Sequence, residues 1–197
     1  MGAVRIQGYK ILVLTILYSQ CVFSQSTYSS MSAREKINQT TEFLKNCESC
    51  ETWYYARANA KEEIEDFSGA LEDYRKVNSL LGGSTFASRR IAEVHKKMNN
   101  YIGAIIEYTK MISNKDLGLS GIYYDRATCK FELKDYRGAI SDYDMTIELN
   151  PNDKFAYYNR GSAKYNLNQK NSACLDWSKA GELGFSEAYD AIQRSCD

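Results

Sequence analysis

The chain has 197 residues, with 25 basic and 25 acidic side chains and a formal net charge of zero. This balance excludes the global attraction to nucleic acid or anionic membranes that a strongly basic chain shows. The length suffices for one domain with a real core. One proline and 12 glycines exclude a collagen-like or linker-rich chain.

Residues 1–24 have the pattern of a secretory signal peptide. A basic start precedes the apolar run Ile11–Tyr18, and small residues follow it. We expect cleavage after Ser24 and a secreted or periplasmic, mildly acidic mature chain. An uncleaved anchor is an alternative, although the run is short for about 30 Å of hydrocarbon. A lipid anchor at Cys21 is a third interpretation, because the residues before it weakly resemble a bacterial lipoprotein motif.

The segment 25–50 precedes a series of repeats. Residues 25–32 are rich in Ser, Thr and Tyr and are predicted to be unordered, and a helix is predicted over residues 33–45. Cys47 and Cys50 form a C-x-x-C motif, which suits a redox dithiol, half a zinc site or a structural disulfide. Both flanks read as helices rather than a strand and a helix, and the chain has 1 histidine. We therefore expect a short disulfide that clips the turn.

Four repeats of about 34 residues follow, spanning 51–84, 85–119, 120–153 and 154–187. Each reads as two amphipathic helices, and a last helix over 188–197 would cap the series. Facing small side chains would let the two helices of a repeat approach closely, at the short end of the usual range of about 8–10 Å. Such residues recur at the eighth and twentieth places of the repeats: Ala58, Ala92, Ala127 and Gly161, then Ala70, Ala104, Ala139 and Ala173.

The pattern resembles the tetratricopeptide repeat (TPR) family over residues 51–187. The segments Tyr157–Gly161 (YYNRG) and Ile147–Pro151 (IELNP) match the sequence motif of the family most closely. The resemblance implies an all-α fold, a right-handed α-solenoid of antiparallel helix hairpins with an N-terminal helix and a C-terminal capping helix. Repeat two departs most, since Ser88 replaces an aromatic residue and the repeat carries an extra residue.

Oppositely charged residues recur at the seventh and twenty-third places of repeats one, three and four. We predict that each arginine reaches its aspartate across the hairpin; the alternative is that the arginines bind an anionic ligand. Repeat two has Ile91 and Glu107 at these places. The three predicted ion pairs are Arg57–Asp73, Arg126–Asp142 and Arg160–Asp176.

Cys174 and Cys196 lie at equal sequence distances on either side of Phe185. In an antiparallel hairpin that turns near Phe185 they would be adjacent, so a disulfide is predicted. His95 and Cys129 are expected to be packed structural groups, because no cluster of ligand or catalytic residues accompanies them.

The TPR resemblance implies that the first helices of the repeats line a groove. Its C-terminal half would be aromatic, which is typical of peptide anchors; alternatively, these rings only cover neighbouring helices. Chaperone-tail-binding TPR proteins clamp a terminal carboxylate with Lys and Asn at set groove places. Most of those places hold Tyr55, Arg90, Gly121 and Asp125 here, and only Asn59 matches, so that activity is rejected. The candidate groove residues are Tyr55, Asn59, Arg89, Tyr124, Thr128, Phe131, Phe155, Tyr158 and Tyr165.

The sequence contains no Ser-His-Asp or Cys-His pattern, glycine-rich phosphate loop or metal-ligand cluster. The leading hypothesis is a non-enzymatic, exported scaffold that binds a protein or peptide. It needs no cofactor, no nucleic acid and no membrane span in the mature chain. The alternatives are a thiol–disulfide protein that uses Cys47 and Cys50, and a lipid-anchored accessory subunit of an envelope complex.

Overall fold

The computed structural model describes residues 28–114 and 119–196. The predicted signal peptide, with its cleavage site after Ser24 and the possible anchor Cys21, lies outside these residues. Within the described ranges every regular element is helical. None of the helices in these ranges is both long and apolar enough to cross a membrane.

Consecutive helices in the described ranges pack as antiparallel hairpins, which confirms the predicted all-α repeat fold. In chain order the helices are α1 (Ala33–Asn46), α2 (Glu51–Glu63), α3 (Phe67–Leu80), α4 (Thr85–Lys97), α5 (Tyr101–Ser113), α6 (Leu119–Glu132), α7 (Tyr136–Leu149), α8 (Lys154–Asn166), α9 (Lys170–Glu182) and α10 (Glu187–Ser195). The chain divides into two compact units, one that ends at Asp73 and one that begins at Tyr74.

In the first compact unit, α1 packs on α2. The Tyr28 side chain, which precedes α1, contacts α2. The Tyr28 hydroxyl donates to the Ala56 carbonyl oxygen at 3.4 Å, and its ring meets Trp53 edge-on at 6.3 Å. Lys36 Nζ lies over the same ring, 5.9 Å from its centroid. One aromatic side chain thus makes long-range contacts from a stretch whose composition suggested a loop.

Helix α1 stands in the register of the repeats rather than outside them. It starts at Ala33 where α3 starts at Phe67, about one repeat length later, and both helices have 14 residues. Arg57 Nη1 on α2 donates to Thr41 Oγ1 on α1 at 3.2 Å. Two other repeats show the equivalent contact between a first helix and the preceding second helix: Arg126 Nη1 to Thr109 Oγ1 at 3.1 Å, and Arg160 Nη1 to Asp144 Oδ1 at 2.6 Å. Helix α1 therefore takes the place of the second helix of a repeat.

The second compact unit is built around the small residues that face each other in each hairpin. Ala92, Ala104, Ala127 and Ala139 are fully buried. A Cβ added to Gly161 would lie 2.8 Å from Trp177 Cδ1 and 3.1 Å from the Ala173 carbonyl oxygen. The helices of repeat four are therefore too close there for any side chain, as the recurrence of small residues predicted. Large aromatic groups fill the space between hairpins, and Tyr74, Tyr108, Tyr143 and Trp177 are buried.

The turn within each hairpin uses one left-handed residue. In repeat three, the Asp135 N–H donates to the Lys130 carbonyl at 2.9 Å and the Lys134 N–H to the Phe131 carbonyl at 2.8 Å, which closes α6. Asp135 then caps α7, since its Oδ1 accepts the Gly138 N–H at 3.0 Å. A Cβ on Gly138 would collide with that carboxylate. The left-handed residues of the four turns are Glu65, Asn99, Lys134 and Asn168, with φ of 61°, 55°, 62° and 60°.

Candidate functional site

The first helices of repeats three and four, α6 and α8, lie beside each other in the second compact unit. Asn159 Nδ2 on α8 donates to the Tyr124 hydroxyl on α6 at 2.8 Å. The two helices therefore present one continuous face. We call its five aromatic residues, Tyr124, Phe131, Phe155, Tyr158 and Tyr165, the aromatic wall.

The rings of the aromatic wall are braced from behind and are partly open to solvent. Phe155 is 48% exposed and Tyr165 is 44% exposed, and the other three are half-buried. Each exposed ring rests on an aromatic residue beyond α8. The ring centroids are 5.3 Å apart for Phe155 and Phe185, and 5.6 Å apart for Tyr165 and Trp177. Tyr158 also contacts Phe185, at 4.9 Å. The exposed rings are thus held in place on rigid helices.

Tyr124 and Thr128, at the centre of the predicted groove, also make contacts within the fold. The Tyr124 ring meets Tyr143 edge-on at 5.8 Å. Burial raises the pKa of Tyr124, the charge of Asp153 adds to the rise, and the hydrogen bond from Asn159 opposes it. The Thr128 hydroxyl is used locally, because it donates to the Asp125 carbonyl oxygen at 2.7 Å. Tyr124 therefore covers neighbouring helices, as the alternative interpretation of the groove aromatics proposed, and it is also partly exposed.

A charged cluster of Arg89, Lys96 and Asp125 lies between α4 and α6. Lys96 Nζ is 3.2 Å from Asp125 Oδ1, and Arg89 Nη1 is 3.7 Å from Asp125 Oδ2. The side chains are 35%, 39% and 27% exposed for Lys96, Arg89 and Asp125. The charge of Asp125 contributes to the raised pKa of Tyr124, so the cluster lies near the aromatic wall. The structure thus places Arg89 beside this face, whereas Tyr55 and Asn59 are half-buried residues of α2 in the first compact unit.

The predicted arginine–aspartate pairs are formed, and each includes a lysine that the sequence interpretation missed. Arg126 Nη2 lies 2.7 Å from Asp142 Oδ1, and Lys130 Nζ lies 2.8 Å from Asp142 Oδ2. The missed signal was a lysine four residues after the arginine, in the same three repeats. The other two triads are Arg57–Lys61–Asp73, with contacts of 2.6 and 2.8 Å, and Arg160–Lys164–Asp176, with contacts of 2.6 and 2.8 Å.

The contacts within and around the triads hold each arginine side chain in the packed structure. Each guanidinium also lies over the tyrosine three residues before it, at 5.6 Å for Tyr54, 5.5 Å for Tyr123 and 5.3 Å for Tyr157. The hydrogen bond to Asp73 is the main cause that raises the pKa of Arg57. Each guanidinium is thus held by a buried carboxylate, by a ring and by a side-chain oxygen of the preceding helix, which is a hydroxyl or, for Arg160, a second carboxylate. Such a group is poorly placed to bind an anionic ligand.

Repeat two replaces the triad with Ile91, His95 and Glu107. His95 is buried, and its Nδ1 lies 3.2 Å from Asn100 Nδ2. Its ring packs against Gly103, where a Cβ would lie 2.8 Å from Nδ1. Burial lowers the pKa of His95, the positive charge of Arg75 lowers it further, and Glu107 opposes both. His95 is therefore a packed group whose surroundings favour the neutral form of the imidazole.

The cysteines in the described ranges form two disulfides, Cys47–Cys50 with Cα atoms 5.5 Å apart and Cys174–Cys196 with Cα atoms 5.9 Å apart. The first lies in the turn between α1 and α2, and Cys50 is the N-cap of α2. The motif is therefore flanked by helices rather than by a strand and a helix. Cys129 is a buried free thiol, and burial raises its pKa to about 11. Within the described ranges, His, Cys, Asp and Glu side chains form no group suited to a metal ion.

Comparisons with known proteins address the fold. No protein-family model matches the chain. A curated relative, serine/threonine-protein phosphatase 5 from Mus musculus, is 28% identical over 115 residues, which are 57% of this chain and 22% of that protein. The chain thus spans less than a quarter of that relative's length.

Solved structures of helical repeats align over most of the chain. MamA from Desulfovibrio magneticus RS-1 has a TM-score of 0.71 at 19% identity, covering 86% of this chain and 94% of that one. YrrB, described as a TPR protein with an unusual peptide-binding site, has a TM-score of 0.61 at 19% identity, covering 76% and 78%. The first TPR of Spaghetti (RPAP3), bound to an HSP90 peptide, has a TM-score of 0.53 at 26% identity, covering 57% and 90%. The chain therefore has the helix-hairpin fold of TPR proteins.

Proposed function

We propose that the protein is a non-enzymatic scaffold that binds an extended segment of another protein on its aromatic wall. The observation that carries the proposal is the pair of braced, exposed rings of Phe155 and Tyr165 on one helix. Rigid aromatic side chains bury a large area and lose little conformational entropy on binding. The partner segment supplies apolar side chains to these rings.

The printed descriptions of YrrB and of the Spaghetti TPR report peptide binding for those two proteins. They support a peptide partner for this chain, because the fold is shared. The balanced charge of the chain argues against nucleic acid as the partner. The function needs no cofactor and no metal.

We also propose that the mature protein is exported, with residues 1–24 removed. The apolar run Ile11–Tyr18 and the two disulfides support an oxidising compartment. The intact mass of the protein purified from its native cells tests this: a chain that starts at Gln25 is expected. A start at Cys21 with acyl chains would instead show a lipid anchor, and retention of residues 1–24 would overturn the proposal.

The binding function is tested by panning a random linear-peptide display library on the protein. We expect enrichment of peptides with aromatic or large aliphatic residues. The double variant Phe155→Ser/Tyr165→Ser should bind the selected peptides at least about tenfold more weakly, because both anchors contribute more than 1.4 kcal/mol together. Fluorescence polarisation measures the affinities.

The matched control is Leu175→Ser on α9, which removes an equally apolar side chain that is 72% exposed outside the aromatic wall. It should leave peptide affinity unchanged. Leu175→Ser should melt at the same temperature as the parent protein. The double variant should melt somewhat lower, because Phe155 and Tyr165 also pack on Phe185 and Trp177, so affinities are measured well below its melting temperature, where circular dichroism shows it folded. Peptides that bind the double variant as tightly as the parent, or a library without enrichment, would contradict the proposal.

A further inference from the structure

The buried aromatic residues between hairpins make a recurring polar contact with the next repeat. The Tyr74 hydroxyl accepts Arg90 Nη2–H at 3.0 Å and Nε–H at 3.3 Å. Asn159, at the equivalent place two repeats later, donates to the Tyr124 hydroxyl at 2.8 Å. A hydrogen bond from the same side chain opposes the rise that burial causes in the pKa of the buried Tyr143. A side chain at the sixth place of a repeat can therefore reach the buried hydroxyl of the preceding repeat.

The contact between repeats two and three lacks this hydrogen bond. The Tyr108 hydroxyl is fully buried and has no hydrogen-bond partner in the described structure. The residue at the equivalent place is Asp125, whose carboxylate is instead directed to Lys96 and Arg89. A buried hydroxyl without a partner is unfavourable. After burial, the charge of Asp125 is the next cause that raises the pKa of Tyr108, so this unused donor lies near a carboxylate that could accept from it.

The ion pairs that hold Asp125 away are weak. Arg89 Nη1 is 3.7 Å from Asp125 Oδ2, beyond hydrogen-bond distance, and both side chains are partly exposed. Arg90 is paired with Glu93 at 2.5 Å. Arg89 and Lys96 thus share one carboxylate, and the cluster has one more cation than anion. Another carboxylate entering from the aromatic wall would meet two accessible cations.

We infer that Arg89, Lys96, Asp125 and Tyr108 form an exchangeable latch for a carboxylate of the bound partner. The incoming carboxylate pairs with Arg89 and Lys96, and Asp125 turns to accept the Tyr108 O–H. The charge-assisted hydrogen bond to Tyr108 offsets the ion pairs that Asp125 gives up. This inference rests on the proposed function, in which the partner is a peptide. It adds that the peptide carries an acidic group next to the apolar side chains that contact the aromatic wall.

The latch is tested with acetate, which supplies the carboxylate alone. Side-chain NMR of the intact protein is recorded while acetate replaces chloride at constant ionic strength. We expect saturable shifts at Arg89, Lys96 and the Tyr108 hydroxyl, which Arg89→Gln/Lys96→Gln abolishes. Tyr108→Phe should weaken acetate binding about threefold or more, because Asp125 then loses its alternative partner. Asp125→Asn should strengthen acetate binding, because the competing carboxylate is gone.

A double-mutant cycle gives the decisive comparison. In the Asp125→Asn background, Tyr108→Phe should no longer change acetate affinity, because the exchange it supports is absent. Equal acetate affinity for the parent and Tyr108→Phe, or shifts that chloride reproduces, would overturn the latch. Phe155→Ser/Tyr165→Ser should leave acetate affinity unchanged while it weakens peptide binding. The acetate titration therefore tests the latch separately from the peptide-binding function.

Two small ligands distinguish the source of the carboxylate. N-acetylphenylalanine offers a chain-terminal carboxylate, and N-acetylglutamylphenylalaninamide offers a side-chain carboxylate. The ligand that loses more affinity in Arg89→Gln/Lys96→Gln identifies the natural group. Equal affinities of both ligands for the parent and for this variant would contradict the latch.

Discussion

At the scale of single residues, the three triads decide how the hairpins pair. Asp142 is nearly buried, and it is neutralised by Arg126 from one side and Lys130 from the other. A buried carboxylate with two cations keeps one partner when the other is removed. It becomes strongly unfavourable only when both are lost.

The stability of repeat three should therefore respond non-additively to loss of the cations. Arg126→Met and Lys130→Met should each lower the free energy of unfolding by about 1 kcal/mol, because Asp142 keeps its other cation. The double variant should lose about 3–5 kcal/mol, because Asp142 is then buried without a partner. Urea denaturation followed by circular dichroism measures the differences.

Lys179→Met is the matched control, since Lys179 pairs with Glu182 and the two side chains are 46% and 60% exposed. Its effect should stay below about 0.5 kcal/mol. A double variant that costs no more than the two single variants combined would show that Asp142 does not depend on both cations.

At the scale of helices, each hairpin turn requires a residue in the left-handed region. Asn99 and Asn168 adopt this conformation readily, whereas Glu65 and Lys134 do so at a steric cost. The turn is nevertheless fixed, because the closing hydrogen bonds of one helix and the cap of the next share adjacent residues. The turns are therefore sites where the natural sequence is less stable than it could be.

Lys134→Gly should raise the free energy of unfolding by about 0.5–1 kcal/mol, because glycine adopts a φ of 62° without strain. Asn168→Gly should change it by much less, since asparagine tolerates a φ of 60°. Thermal melts of the two variants beside the parent measure this. A destabilising Lys134→Gly would show that the flexibility glycine adds to the unfolded chain outweighs the relieved strain.

At the scale of the whole molecule, the two disulfides differ in the segments that they join and in the length of chain that they close. Cys174–Cys196 joins α9 to α10 and closes a sequence separation of 22 residues. Helix α10 has 9 residues, and it buries Ala188 and Ala191 against α9. So short a helix has little stability of its own. Cys47–Cys50 closes a separation of 3 residues.

Loss of Cys174–Cys196 should therefore cost more than loss of Cys47–Cys50. The chain-entropy relation gives roughly 3 kcal/mol for Cys174→Ser/Cys196→Ser and roughly 2 kcal/mol or less for Cys47→Ser/Cys50→Ser. Amide hydrogen exchange should show loss of protection in α10 for the first variant only. Unchanged protection in α10 would mean that the packing of Ala188 and Ala191 holds the helix without the bond.

The fold could be predicted from the sequence because repetition exposes it. Ala92, Ala127 and Gly161 share one place, and such recurrence is visible without coordinates. The contacts of Tyr28 could not be predicted, because they depend on Trp53 and Ala56, which lie in a later helix. The register of α1 was hidden because that helix lacks the small residue at the twentieth place, where Lys36 stands.

The candidate site was predictable only in outline. The resemblance assigned residues to a face, but it could not say which rings are exposed. Exposure of Phe155 and Tyr165 depends on how far Phe185 and Trp177 cover them. The unpartnered Tyr108 hydroxyl was likewise invisible, because Asp125 occupies the correct place and its choice of partner is set by packing.

The contact that joins α6 and α8, from Asn159 to Tyr124, spans only 35 residues of chain. The arginine contacts to the preceding helix span 16 or 17 residues. Proteins dominated by such local contacts fold fast, because little loop entropy is lost before each contact forms. Each hairpin can thus form as soon as its own stretch leaves the ribosome or an export channel, and the Cys174–Cys196 bond closes last.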